Sequence, residues 1–146
     1  MDYDYAEKVA CLAARTAEIV QSADNLVTFI ESEMDRVARI ASASPYQHVR
    51  KSGIFSIGSC LTTFNVYVRP TIGFVTNKIR DPVRMCCTLA TVVCGDPNKS
   101  NFEKDAFLMC ANKVFDTEVE RIVETQQQVT ESVGIVLTQF ESFSQS

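Results

Sequence analysis

The chain has 146 residues, a length typical of one domain, and we predict that residues 1–146 form a single helical-bundle domain. Hydrophobic residues make up 46% of it, which argues against a disordered chain. The net charge of −4 argues against binding of nucleic acid by bulk electrostatics. The acidic N-terminus (Asp2, Asp4) has no signal-peptide pattern, and no clear transmembrane segment is visible, so we predict a cytoplasmic protein.

The first predicted element is a long helix over about residues 3–44. Apolar residues recur at intervals of three and four from Val9 to Ala41, and the charged residues fall off that face. No Gly or Pro occurs before Pro45, which then prevents the helix from continuing. The spacing therefore predicts one uninterrupted amphipathic helix.

The weakly charged middle of the chain predicts two shorter helices, over about 60–80 and 82–94. Phe64, Val66 and Val68 alternate as they would in a strand. Apolar residues at helical spacing nevertheless continue to Ile79, too far for a strand, so we favour a helix kinked at Pro70. The Asp81-Pro82 pair predicts the start of the next helix, with Asp81 as its N-cap.

The last predicted element is a second long helix, over about 101–144. Ser100 and Glu103 have the spacing of a capping box at its start. An apolar stripe then runs to Phe143, with one irregular step from Phe115 to Val119. Gln126 takes an inward position in this stripe, as Thr16 does in the first helix, and both are predicted to be polar core residues that fix helix register.

Four helices with short connections predict an all-α, antiparallel four-helix bundle with two long outer helices and two shorter middle ones. We expect the short helices to pack at one end, beside the end of the first helix and the start of the fourth. The other halves of the long helices would then carry apolar faces too wide for a two-helix hairpin to bury. A second copy or a protein partner would cover this predicted interface. The alternative is that the long helices bend or break, for instance at Gly134 or near residues 126–128, and fold back into a compact monomer. Its residues are Val9, Leu12, Ile19, Val20, Val129, Val133, Val136, Phe140 and Phe143.

The middle segment 49–95 differs from the rest in charge, because it has six basic residues and one acidic residue. An ordinary solvated surface explains such a distribution. The alternative is a surface that binds an anionic partner, such as a lipid head group or an acidic protein. The residues of this predicted anionic-partner surface are Arg50, Lys51, Arg69, Lys78, Arg80 and Arg84.

Little in the sequence points to chemistry. The six cysteines contain no C-x-x-C pair, and the one histidine, His48, has no partner at a spacing typical of a catalytic or metal site. No glycine-rich phosphate-binding loop is present. We therefore predict no catalytic, cofactor-binding or metal-binding residues, no cofactor, and no enzyme activity. Buried, reduced thiols are favoured over a secreted disulfide framework.

These observations favour a structural or adaptor protein that self-associates or joins a larger assembly through its long terminal helices. The expected partners are further copies of the chain or another protein, and nucleic acid is not expected. The alternative is a helical protein that associates with a membrane or lipid surface through segment 49–95. A carrier for a small apolar ligand is a third hypothesis, which no specific feature supports.

Overall fold

The computed structural model describes residues 3–51 and 55–145, and most of these residues are helical. The prediction of an all-α fold is confirmed. The four α-helices are α1 (Tyr3–Ala43), α2 (Ile57–Phe74), α3 (Asp81–Gly95) and α4 (Asn101–Ser142). A π-helical segment, Val75–Arg80, follows α2, and a short 3-10 helix, Phe143–Gln145, follows α4.

Two-residue strands precede α2. Strand β1 (Arg50–Lys51) pairs in antiparallel fashion with β2 (Phe55–Ser56), with Arg50 opposite Ser56. The Phe55 ring stacks on the ring of Phe143, with 6.2 Å between the ring centroids. This contact fixes the hairpin against the end of α4.

The capping box predicted at the start of α4 is confirmed. The Ser100 backbone N–H donates to Glu103 Oε2 at 2.9 Å, and the Glu103 backbone N–H donates to Ser100 Oγ at 3.2 Å. These two bonds satisfy amide groups that the first turn of a helix leaves without intrahelical acceptors.

Helix α3 begins at Asp81 with Pro82 in its first turn, close to the predicted start, but the predicted N-cap role of Asp81 is wrong. Arg80, which precedes α3, has helical dihedral angles (φ −61°, ψ −53°), and no side chain caps the α3 N-terminus. Helical backbone therefore continues from Ile57 to Gly95 through the π-helical segment. Pro82 has no amide hydrogen and its ring crowds the carbonyl four residues earlier, so a widened turn before it accommodates the proline. The predicted four-helix arrangement is not confirmed, because its two middle helices form this single continuous stretch.

The chain divides into two compact units, and α1 and α4 each contribute to both. Unit 1 consists of Met1–Asn25 and Val75–Val123, and unit 2 consists of Leu26–Phe74 and Glu124–Ser146. Each unit therefore combines a part of α1, a part of α4 and one helical part of the middle segment.

In unit 1, α1 and α4 run in the same direction. Tyr5 Oη donates to Asp105 Oδ1 at 2.9 Å, and further along both helices Arg15 donates to Asn112 Oδ1 at 3.0 Å. The third helical part of this unit is the π-helical segment with α3. Its side chains fill the core together with those of α1 and α4, and the buried residues include Leu12, Ala23, Val83, Ala90, Cys94 and Phe115.

In unit 2, the third helical part is α2. The core is formed by apolar side chains of α1, α2 and α4. Its fully buried large residues are Ile30, Val37, Ile57, Val68, Val129 and Phe143.

The prediction that both short helices pack at one end of the long helices is wrong. Helix α3 joins the starts of α1 and α4 in unit 1, whereas α2 joins the ends of α1 and α4 in unit 2. Because each half of the long helices receives a third helical part, neither half is left as a two-helix hairpin.

Candidate interaction surfaces

The residues of the predicted interface lie in the cores of the two units. Leu12 and Ile19 are buried in unit 1, and Val129, Val136 and Phe143 are buried in unit 2. Val9, Val133 and Phe140 are buried as well, and Val20 is half-buried. The reasoning that a single chain would leave these faces uncovered is therefore wrong, because α3 covers one set and α2 the other.

The residues of the predicted anionic-partner surface are divided between the units. Arg50 and Arg69 belong to unit 2, where both are exposed. Lys78 and Arg84 belong to unit 1 and are also exposed. Lys51 lies in β1, and its side chain is outside the described part of the structure.

Arg80 is not available to a partner in the way the other cations are. Its guanidinium forms ion pairs with Asp24 of α1, at 3.1 Å, and with Asp81, at 3.2 Å. The hydrogen bonds to Asp24 and Asp81 raise the pKa of Arg80. Arg80 therefore joins the π-helical segment to α1 within unit 1, and its charge is already paired with two carboxylates.

The outer face of α3 is the first surface with grouped apolar side chains. Met85, Leu89 and Val92 are spaced by four and three residues and are 59%, 44% and 63% exposed. Side chains at this spacing share one face of a helix. We call these three residues the α3 stripe.

A groove between α2 and α4 in unit 2 is the second such surface, which we call the α2–α4 groove. It contains two cavities of about 300 and 390 Å³, which have Tyr67, Ser132 and Ile135 in common. Tyr67 is 77% exposed and Ile135 is 61% exposed, so two large side chains stand beside the cavities. Glu131 is the one charged residue among those that line them.

A third concave surface lies between α1 and α4 in unit 1 and differs in character. Its volume is about 720 Å³, and its lining includes Glu7, Lys8, Arg15 and Asp105. Two of these side chains pair across the groove or beside it: Lys8 with Asp105 at 3.5 Å, and Arg15 with Asp116. The charged lining of this groove therefore includes side chains that pair α1 with α4.

Glu118 is a buried carboxylate that the sequence analysis did not place in the core. Its side chain is 7% exposed; Oε1 accepts a bond from Arg121 at 3.2 Å, and buried Oε2 has no hydrogen-bond partner among the described atoms. Burial raises the pKa of Glu118, although the positive charge of Arg121 partly opposes that rise. The negative charge of Glu118 acts in turn on Cys86 of α3 and contributes to the raised pKa of that thiol.

The cysteines are free thiols. Cys60 and Cys94 are buried as predicted, whereas Cys86 and Cys87 are half-buried and Cys11 and Cys110 are exposed. Burial raises the pKa of Cys60, Cys86 and Cys94. These thiols are therefore protonated at neutral pH, and a protonated thiol is a poor nucleophile and a poor metal ligand.

Among residues 3–51 and 55–145, no group of three or more His, Cys, Asp or Glu side chains has an arrangement that could hold a metal ion. The helices in this part of the chain are too short or too polar to cross a membrane. No protein-family model, curated protein or solved structure is similar enough to this chain to place it in a family. The α3 stripe and the α2–α4 groove are the two apolar surfaces that could contact a partner.

Proposed function

We propose that this chain is a non-enzymatic helical protein that self-associates or joins a larger assembly. The observation that carries the proposal is that α3 is apolar on two opposite sides. Val83, Ala90 and Cys94 are buried in unit 1, while the α3 stripe faces away from that core. A helix that is hydrophobic all round is typically covered on every side. A second protein surface over the α3 stripe would provide that cover.

The distribution of charge supports the same proposal. Asp81 and Arg84 are the charged residues of α3, and both lie in its first turn. Exposed charges occur along the whole of α1, from Lys8 to Arg39. The solvent-facing side of α1 has the charged composition of an ordinary surface, whereas that of α3 has the composition of an interface core.

Sedimentation velocity of the purified chain over low to high micromolar concentrations tests the proposal. We expect a reversible increase in mass with concentration. Substitution of Leu89→Lys together with Val92→Lys should weaken this association, because each cation would have to be buried without a partner. Thr91→Lys is the matched control, since Thr91 is an exposed residue of the same helix that is not three or four residues from any member of the stripe. A wild-type chain that stays monomeric throughout contradicts self-association.

A second candidate function is association with an anionic lipid surface through the same part of unit 1. Lys78 and Arg84 are exposed and form no ion pair with another described residue, and they lie close in sequence to the α3 stripe. Apolar side chains flanked by cations are typical of helices that lie in the membrane interface.

Flotation with vesicles separates the two candidates. Lipid association predicts that the chain floats with vesicles rich in phosphatidylserine and not with phosphatidylcholine vesicles, and that Arg84→Glu reduces the bound fraction. Flotation with neither vesicle, combined with concentration-dependent mass in solution, would leave protein assembly as the function.

A further inference from the structure

The smaller of the two cavities in the α2–α4 groove has an apolar floor and uncharged walls. Cys60 and Phe64 of α2 and Val136 of α4 line it, and all three side chains are buried. Tyr67 and Ile135 also line it and are mostly exposed, so they form its walls. We call this space the Cys60 cavity. It lies within unit 2, and none of the described residues that line it is charged.

Two polar side chains at this cavity differ from the other hydroxyl side chains of the same helices. Thr130 and Thr138 of α4 donate to backbone carbonyls four residues earlier in the helix, and Thr63 of α2 does the same. Ser132 and Gln139 are half-buried at the cavity, and their side chains form no hydrogen bond with another described residue. Their donors and acceptors are therefore available to a bound molecule.

We propose that the Cys60 cavity binds a small, uncharged aromatic molecule that carries a hydrogen-bonding group. The inference goes beyond the proposed function, because it assigns a ligand site and does not depend on self-association. It concerns unit 2 alone, whereas the α3 stripe belongs to unit 1.

The volume of the cavity favours a small molecule over a segment of protein. The space of about 300 Å³ equals about ten water molecules at about 30 Å³ each and is at the lower limit of typical ligand pockets. Tyr67, Ser132 and Ile135 also line the second cavity, so they lie where the two cavities meet. A helix laid along the groove would meet the exposed side chains of Tyr67 and Ile135. A molecule of one or two rings fits on one side of them.

The lining determines the chemical class of the ligand. Phe64 and Tyr67 are three residues apart on α2, so they lie on one side of the helix and offer aromatic surface to a ring. A charged ligand would lose hydration in this cavity without meeting an opposite charge. A wholly apolar ligand would separate Ser132 and Gln139 from water without replacing their hydrogen bonds. An uncharged aromatic molecule with a hydroxyl or amide group avoids both costs.

Titration of the full chain with 2-naphthol, followed by heteronuclear NMR, is the direct test. This probe has two rings and one hydroxyl group and is uncharged at neutral pH. We expect saturable shifts of the backbone amides of residues 60–67 and 132–139. The dissociation constant should be about 0.1–1 mM, because the cavity is small and open on one side. Naphthalene, which lacks the hydroxyl, and 2-naphthoate, which is an anion, should each bind at least about fivefold more weakly.

Ser132→Ala tests the hydrogen bond to the ligand. Removal of the hydroxyl should weaken 2-naphthol binding about three- to tenfold and leave naphthalene binding unchanged, because naphthalene makes no hydrogen bond to Ser132. Alanine is a better helix former than serine, so the fold is retained. Thr138→Ala is the matched control, because it removes a hydroxyl from an exposed position of α4 that does not line the cavity.

Each contrary outcome overturns a stated part of the inference. The absence of saturable shifts up to the solubility limit of 2-naphthol overturns the site, as do shifts confined to residues 85–92, which would place the probe on the α3 stripe. Equal affinity for 2-naphthoate overturns the uncharged class. Equal affinity for naphthalene, with no effect of Ser132→Ala, overturns the need for a hydrogen-bonding group.

A second copy as the occupant has its own signature. Shifts of the same amides with protein concentration, in the absence of probe, would assign the cavity to a contact between copies and overturn the ligand site. The proposed function is tested separately by Leu89→Lys with Val92→Lys, which change unit 1, so failure of either proposal leaves the other standing.

Discussion

The two units hold their helices together by different means. In unit 1, polar side chains join one helix to another: Tyr5 and Lys8 contact Asp105, and Arg80 pairs with Asp24. In unit 2, the ion pairs of Arg36 with Glu33 and of Arg39 with Asp35 lie within α1. Hydrogen bonds and ion pairs require particular distances and directions, so they fix helix register more narrowly than apolar contact does. Polar pairs between helices therefore contribute to register in unit 1, whereas the two ion pairs named in unit 2 join residues of a single helix.

The cores of the two units also differ in the charged side chains that they bury. Unit 1 buries two side chains of the charged residue types, Lys104 and Glu118. The Lys104 ammonium lies over the Tyr5 ring, 5.2 Å from its centroid, so an aromatic face replaces part of its lost hydration. The buried polar side chain of unit 2 is Thr125, which is uncharged. Unit 1 therefore bears the desolvation cost of these two buried groups.

Removal of a core ring from either unit is expected to have the largest effect. Phe115 of unit 1 and Phe143 of unit 2 are both fully buried. Phe115→Ala and Phe143→Ala should each lower the free energy of unfolding by about 3–5 kcal/mol, through lost burial and the cavity left behind. Urea unfolding followed by circular dichroism measures the loss.

Phe102→Ala is the control for both core variants, because Phe102 is 82% exposed and its removal should change the free energy of unfolding by less than about 0.5 kcal/mol. Hydrogen exchange compares the two units. The protection of backbone amides should fall first around residue 115 in Phe115→Ala and around residue 143 in Phe143→Ala. A loss below about 1 kcal/mol for a core variant would show that its ring is not in a packed core.

Neutralisation of Glu118 is expected to have the next largest effect, and it is confined to unit 1. Because burial raises the folded-state pKa of Glu118, the folded chain binds this proton more tightly than the unfolded chain. At low pH the carboxyl is protonated in both states. As the pH rises through the folded-state pKa, the favourable contribution of the protonated group is lost and wild-type stability falls.

Glu118→Gln removes that pH dependence. The variant should gain stability over wild type as the pH rises from about 4 to 7, reaching a difference of about 1 kcal/mol, because the amide does not acquire a negative charge that burial would penalise. Arg121, on the same helix, and Cys86, on α3, are the neighbouring ionisable groups, and the exposed Arg121 can be solvated once its partner is neutral. Glu124→Gln, at an exposed position of α4, is the control. A difference that does not change with pH would contradict the raised pKa.

The sequence predicts the helices better than it predicts which side chains they bury. The bounds of α1 and α4 agree with the predicted ones within one or two residues, because Pro45 and the Ser100–Glu103 capping box are strong local signals. The periodicity of the middle segment correctly favoured a helix over a strand. Such signals arise within a few residues, so a single sequence contains them.

The orientation of α4 could not be predicted in the same way. An apolar pattern selects Val119 and leaves an irregular step after Phe115, whereas the structure buries Glu118 and leaves Val119 42% exposed. Thr125 likewise takes the inward position that was assigned to Gln126, which is exposed. With Glu118 and Thr125 inward, the buried positions from Phe115 to Val129 recur regularly at intervals of three and four. The polar residues hide this regularity from a search for apolar residues.

The candidate surfaces were misplaced for a related reason. The stripes of α1 and α4 were assigned to an interface because the middle segment was divided into two short helices that would pack together. Helical signals are local, whereas the division of α2 and α3 between two units depends on contacts between residues far apart in the chain. Thr16 is buried as predicted. Its Oγ1 donates to the Leu12 carbonyl of the same helix at 2.8 Å, so this bond does not fix the register between helices as predicted.

The smallest expected effect compares one ion pair from each unit. A double-mutant cycle on Arg15 and Asp116, which joins α1 to α4, should give a coupling of about 0.5–1 kcal/mol, since solvent screens the largely exposed Asp116. The cycle on Arg39 and Asp35, both about 70% exposed and on the same helix, should give about 0.3 kcal/mol. Truncation of Arg15 should cost more than its coupling to Asp116, because Arg15 also donates to Asn112 and lies 5.6 Å from the centroid of the Phe115 ring. Equal coupling energies in the two cycles would mean that the pair between helices in unit 1 stabilises the fold no more than the pair within one helix in unit 2. The two units would then differ only in the residues that their cores bury.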